Sequence, residues 1–318
     1  MRDAFYLSPM ISSLIGRITC VCRRLLVALL AMSALFGASL AVAGPEAELW
    51  ARWTEHDANS AVVVDHSSWD RLTRQHLSRG GNGVALLDYS GFDAADRRSL
   101  ADYIGALQAT PVSQLNRSEQ YAYWLNLYNA ATVAIVLQHY PVRSIRDIDI
   151  SPGLFANGPW GATLLSVEGE ELSLDDIEHR ILRPIWQDPR IHYGVNCASI
   201  GCPDLRAGAF TGENVDSALD EAARAYVNHP RGARVNRGRL VVSSIYNWFE
   251  EDFGGNDSGV IGHLMRFAEP GLAAQLQGIS RVSDDEYDWT LNDANPAPAA
   301  SDVRRRNQFN GSGGGRGS

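Results

Sequence analysis

Between Asn116 and Pro141 lies the longest run that a single secondary-structure element can claim. Asn116 or Ser118 can cap a helix there, and Pro141 stops it at about His139. Trp124, Leu127, Tyr128, Ala131 and Ile135 recur at helical spacing along one stripe. Asn126 and Asn129 lie beside the stripe. Asparagine is a mediocre helix former, and its presence here predicts side-chain hydrogen bonds that tie down neighbouring loops.

The remaining pattern is mixed. Helices are expected over Trp69–Leu77, Asp96–Leu107, Asp216–Tyr226, Val260–Phe267 and Leu272–Leu276. A hairpin is expected from Ala162–Val167 to Glu170–Leu172 about Glu168-Gly169, and strands at Arg239–Ser243 and Tyr287–Trp289. Ser173 and Asp176 resemble a capping box before a helix bearing Leu174, Ile177, Ile181 and Ile185. The fold class predicted is α+β: a mainly helical single domain over residues 46–290 around a small, mostly antiparallel sheet.

The ends read differently. Arg23-Arg24, the apolar run Leu25–Phe36 and Ala41-Val-Ala43 have the order of a secretory signal peptide over residues 1–43. Its removal would leave Cys197 and Cys202 as the remaining cysteines, in a periplasmic or secreted protein where disulfides are stable. Membrane contact is expected only through that peptide during export. Residues 291–318, rich in Pro, Ala, Gly and Ser, read as a disordered tail.

Composition excludes several functions. The formal charge is −9 and the 28 basic residues are all arginine, which argues against nucleic-acid binding and excludes a Schiff-base or P-loop lysine. HExxH, paired CxxC and GxSxG patterns are absent, so neither a metal, a cofactor nor a serine nucleophile is expected.

Chemistry concentrates in Arg190-Ile-His-Tyr-Gly-Val-Asn-Cys-Ala-Ser-Ile-Gly-Cys-Pro203, read as a short strand entering a loop. Three readings follow. In the first, the chain is a thiol hydrolase or acyltransferase acting on a small-molecule, peptide or protein substrate. Cys197 is its nucleophile, His192 its base and Glu178 the group orienting the base. The amides of Ala198 and Ser199, with Asn126 or Asn129, would form its oxyanion hole. Positions five apart on a straight strand face opposite sides, so this pairing requires the chain to turn after about Asn196. In the second, Cys197 and Cys202 form a structural disulfide. In the third, the domain binds without chemistry, through a groove lined by Trp124, Trp160 and Trp248.

Tyr123-Trp-Leu-Asn-Leu-Tyr-Asn-Ala130, Tyr140-Pro-Val-Arg-Ser-Ile145, Ile177-Glu-His-Arg-Ile-Leu-Arg183, His192-Tyr-Gly-Val-Asn-Cys-Ala-Ser199 and Trp248-Phe-Glu-Glu-Asp-Phe253 occur in this order. Together they resemble the domain-of-unknown-function family 547 (DUF547), over roughly Trp69 to Leu276. The resemblance implies membership of a family without an assigned activity. It also implies that Cys197 is the functional thiol, with Cys202 a local addition, and that His192 and Glu178 belong to the family's motifs.

Overall fold

The computed structural model describes residues 44–153 and 157–296. The expected signal peptide and the part of the expected tail beyond residue 296 lie outside them. Helix α1 (Ser67–His76) precedes a hairpin of β1 (Leu77–Arg79) and β2 (Ala85–Leu87). Helix α2 (Ala94–Gln108) follows, capped by Asp93, whose carboxylate accepts from the amides of Ala95 and Asp96.

The long run forms helix α3 (Arg117–His139). Asn116 is its N-cap, and the side-chain oxygen accepts from the Glu119 amide. Burial extends round almost the whole of its central part, beyond the single stripe expected from spacing. A helix buried on every side is a core helix rather than a surface one. Trp124 lies edge-on to Trp53 and Tyr123, with centroids 5.1 and 5.0 Å away. It is therefore core, not a groove wall.

The expected hairpin forms as β3 (Leu165–Val167) and β4 (Glu170–Leu172). Its turn residues Glu168 and Gly169 both have positive φ, 47° and 83°, the backbone that a two-residue hairpin with the native strand twist requires. Ser173 and Asp176 exchange the reciprocal bonds expected of them: Asp176 Oδ2 accepts from the Ser173 amide, and Ser173 Oγ accepts from the Asp176 amide. The helix they start is a π-helix, Asp176–Leu182, that runs into α4 (Arg183–Trp186). π-helical turns occur disproportionately beside functional sites.

Next come the short α5 (Ile191–Gly194) and α6 (Val215–Val227). Strands β5 (Ala233–Asn236) and β6 (Arg239–Ser243) pair antiparallel, with α7 (Ile245–Trp248), α8 (Asp257–Phe267) and α9 (Pro270–Leu276) after them. β7 (Val282–Glu286) pairs parallel to β6. The fold is α+β and mainly helical, and among the described residues the strands form three small sheets with one parallel strand pairing.

Two differences from the sequence reading bear on function. His192 stands on a helical turn, not a strand: Val195 N–H donates to Ile191 O. The final strand ends at Glu286, and the segment after it continues into the core instead of leaving as a tail. Leu291, Asn292 and Asp293 are buried. The Leu291 amide donates to Arg143 O, that of Asn292 to Ala198 O, and that of Ala294 to Leu87 O. Pro and Ala further along gave the segment a tail-like composition, but these backbone bonds keep it in the fold as far as Asn295.

Among the described residues the core has two apolar clusters, one around α3 and one around β6, α6 and α8. Ile191, Val195 and Ala198 belong to the first and Tyr193 to the second, so the cysteine-bearing stretch joins them.

Candidate functional site

The stretch after α5 is held from both sides. On one side, Asn129 donates from Nδ2 to Gly194 O and accepts from the Asn196 amide, both at 2.8 Å. Asn126 makes the same pair of bonds with the carbonyl and amide of Phe210, at 2.8 and 3.1 Å. Both asparagines therefore tie down loops, as their place on α3 suggested, and their amides are engaged. On the other side, Ile200 N–H donates to Thr290 O and Gly201 N–H to Asp288 O, each at 2.8 Å. Gly201 permits this approach, because a Cβ there would stand 2.7 Å from the Asp288 nitrogen.

Between these anchors the chain turns sharply. Ala198 has φ +56°, a conformation uncommon for residues other than glycine and concentrated at functional sites. Asn196 stabilises the turn, accepting from the Ala198 amide at 2.9 Å and donating to Pro203 O at 2.7 Å.

The turn brings the two cysteines together as free thiols. Cys202 is buried and Cys197 half-buried. The Cys197 amide donates to Cys202 Sγ at 3.0 Å. Cys197 Sγ lies 3.2 Å from Ser199 Oγ and 2.9 Å from the Tyr287 hydroxyl, and those two oxygens are 2.9 Å apart. Burial alone would push the Cys197 thiol up. Hydrogen bonds from Cys202, the Ser199 hydroxyl, Tyr287 and the Ser199 amide outweigh it and draw the thiol down to about 7. Cys202 moves the opposite way: burial and the proton shared with Cys197 push it well up. The structural disulfide of the second reading is not formed.

His192 faces elsewhere. Its Nε2 is 2.7 Å from Asp252 Oδ2, its Nδ1 is 3.7 Å from Glu178 Oε1, and its ring stacks on Phe249 with centroids 4.4 Å apart. Arg183 Nε also reaches Asp252, at 2.6 Å. Against the upward push of burial, His192 and Arg183 hold Asp252 at about 2. Burial in turn lowers His192 despite Asp252. Glu178 is pushed up to about 7 by burial, only partly offset by the Tyr128 hydroxyl and the Arg183 charge. Of the expected trio, the structure brings His192 and Glu178 together, while the hydrogen-bond partners of the Cys197 sulfur are the Ser199 and Tyr287 hydroxyls.

Of the expected oxyanion donors, the Ala198 amide is engaged by Asn196. Among the described residues no group of three His, Cys, Asp or Glu side chains could hold a metal ion.

Sequence reasoning missed Tyr287, Asp252, Asn196 and Asn292. Asp252 lay within the Trp248–Phe253 motif, where nothing indicated its partner. Tyr287 stands ninety residues after Cys197 and carried no local signal beyond its aromatic neighbours. Those neighbours form a wall at the thiol: Trp248 and Trp289 lie 4.8 and 4.7 Å from the Tyr287 ring, and Trp160 lies 5.7 Å from Trp289. Asn292 accepts from the Tyr89 hydroxyl at 2.9 Å.

No curated protein and no solved structure matches the chain. Residues 112–227 match the family model described as protein of unknown function, DUF547. The matched span contains α3, the π-helix, α5, the cysteine turn and α6, while Asp252 and Tyr287 lie beyond it. Over these residues the chain is similar to the DUF547 family.

Proposed function

We propose that this chain is a thiol enzyme in which Cys197 attacks and Cys202 resolves, so that the turn works as a thiol–disulfide exchange site. One observation carries the reading: a half-buried thiol drawn down to about 7 lies against a buried thiol pushed up. That asymmetry suits the chemistry, because the half-buried member is the thiolate at neutral pH and the buried member keeps its proton until needed. The Cys197 thiolate attacks one sulfur of a substrate disulfide. A mixed disulfide forms and the first substrate thiolate leaves. The Cys202 sulfur then attacks Cys197 Sγ and gives up its proton to the second departing thiolate. The products are a Cys197–Cys202 disulfide and two substrate thiols. The substrate would be a disulfide-bearing small molecule, peptide or protein, and the Trp248–Tyr287–Trp289 wall offers apolar surface beside the sulfur. Export, which the N-terminal sequence suggests, would place the pair among oxidised thiols.

An acyl-transfer enzyme built on Cys197, His192 and Glu178 finds less support. Its imidazole is engaged by Asp252 and the Ala198 amide by Asn196. The resemblance implied that Cys202 was a local addition; in the proposed reaction it is essential.

The test is the stoichiometry of reaction with an aromatic disulfide whose released thiolate is coloured. With Cys20 and Cys22 replaced by serine, the protein should release two equivalents and end with an internal disulfide. Cys202→Ser should release one and retain a stable mixed disulfide at Cys197, and Cys197→Ser should react slowly. A protein with both Cys197 and Cys202 that stops at one equivalent refutes the exchange reading. It would leave a lone nucleophile.

A further inference from the structure

A second concentration of charge lies away from the thiols, at the start of α1. A pocket of about 390 Å³ is bordered there by His66, Arg71, Arg74, Arg206, Thr211 and Asn214. Three arginines around one pocket are notable in a chain of net charge −9.

Two of the three are matched by acids. Arg74 holds Asp70, also on the pocket wall, at 2.7 Å, and Arg71 holds Asp96 at 3.1 Å. Arg206 has no carboxylate partner among the described residues. It donates one bond, at 3.0 Å, to Ala209 O, which leaves most of its donor fork without a protein acceptor. Gly208, with φ +102°, sits where the two guanidinium groups and the Asp70 carboxylate converge: a Cβ there would be 2.7 Å from Arg74, 2.9 Å from Asp70 and 3.2 Å from Arg206.

His66 supplies an independent observation. It is 5 % exposed. Its Nδ1 is 2.6 Å from the Tyr103 hydroxyl, while its buried Nε2 has no partner among the described residues. A buried polar atom without a partner is rare and calls for a ligand, a water or a function. His66 is also the N-cap of α1 and makes no side-chain cap. The Ser67 amide is satisfied by Asp65 at 2.9 Å, so the negative groups facing this end of the helix are Asp65 and Asp70.

We propose that this pocket binds the phosphate or carboxylate group of a small molecule, with Arg206 as the principal ligand and Arg74 and His66 beside it. A planar guanidinium with free donors is matched to such oxyanions. The volume exceeds what a bare ion fills, so the natural ligand would carry the anionic group on a larger body.

Calorimetric titration of the protein with inorganic phosphate, and separately with acetate, tests this. Ring-nitrogen NMR of His66 provides the second readout. Saturable binding of either anion is expected, with a shift at His66, and phosphate or acetate preference identifies the group. Arg206→Gln, checked for an unchanged melting temperature, should weaken binding about tenfold or more, the loss expected for one charge-assisted contact. Arg97→Gln, on another face, should leave it unchanged. The proposal is overturned if neither anion binds saturably, or if binding persists unaltered in Arg206→Gln.

Discussion

Replacing Tyr287 by phenylalanine removes one oxygen from the group that draws Cys197 down and leaves the aromatic wall in place. The hydroxyl stands 2.9 Å from the sulfur. A hydrogen bond to a charged acceptor contributes about 1.5–3 kcal/mol, and one pKa unit corresponds to about 1.4 kcal/mol. Ser199 and Cys202 remain as donors and compensate in part, so the expected change is about one unit, from about 7 to about 8. At pH 6.5 the thiolate fraction would then fall from about 24 % to about 3 %, roughly eightfold. A more basic thiolate is intrinsically more nucleophilic, by about threefold per unit, so the net alkylation rate falls about threefold. Above about pH 9 both forms are ionised and the variant should react about threefold faster, so the two profiles cross near about pH 7.5. The assay is the rate of iodoacetamide labelling at Cys197 against pH, read by peptide mass. Improved access in the variant would raise its rate at every pH without moving the midpoint. Superimposable midpoints would refute the assignment of Tyr287 as a determinant of the thiol.

Three further outcomes follow from the same geometry. Glu178 is raised by burial from 4.5 to about 7, so the folded protein holds that proton more tightly than the unfolded chain does. Its contribution is most favourable below about pH 4.5 and is lost as pH rises towards about 7; Glu178→Gln should therefore gain up to about 3 kcal/mol on the native protein between pH 4.5 and 8 in urea titrations, and a pH-independent difference would contradict this. Gly201→Ala forces the 288–290 backbone away, which should cost about 1–3 kcal/mol in thermal denaturation and raise the alkylation midpoint of Cys197 as Tyr287 is displaced. Asn129→Ala leaves Gly194 O and the Asn196 amide without partners and should destabilise by about 3 kcal/mol in urea.

Local chemistry made much of the scaffold legible. The N-cap at Asn116, the hairpin turn at Glu168-Gly169 and the Ser173–Asp176 pair are set by residues a few positions apart, and each formed as expected. The two asparagines on α3 were legible for another reason: a poor helix former beside a buried face has to satisfy its amide somewhere. The reactive centre was half legible. The cysteine-bearing stretch stood out by composition, but the contacts that govern it come from distant segments, Tyr287 from after β7 and Asn129 from α3. His192 was paired with Cys197 by proximity in sequence. The helical turn Ile191–Gly194 and the stacking ring of Phe249 direct it to Asp252 instead. Composition also misjudged the end of the fold. Leu291–Asp293 looks polar and loop-like, yet its backbone pairs with Arg143 and Ala198 and its side chains are buried.

The most direct test of the central claim is a redox titration of the Cys197–Cys202 pair. The protein, with Cys20 and Cys22 replaced by serine, is equilibrated in glutathione buffers of graded potential, quenched by alkylation and weighed intact. The exchange site predicts one reversible transition from two alkylated thiols to none, with the loss of two hydrogen atoms and no added glutathione, in a monomer. If both thiols stay open to alkylation in fully oxidised glutathione, or if oxidation yields only a glutathione adduct or a linked dimer, Cys202 does not resolve Cys197 and the exchange mechanism is wrong.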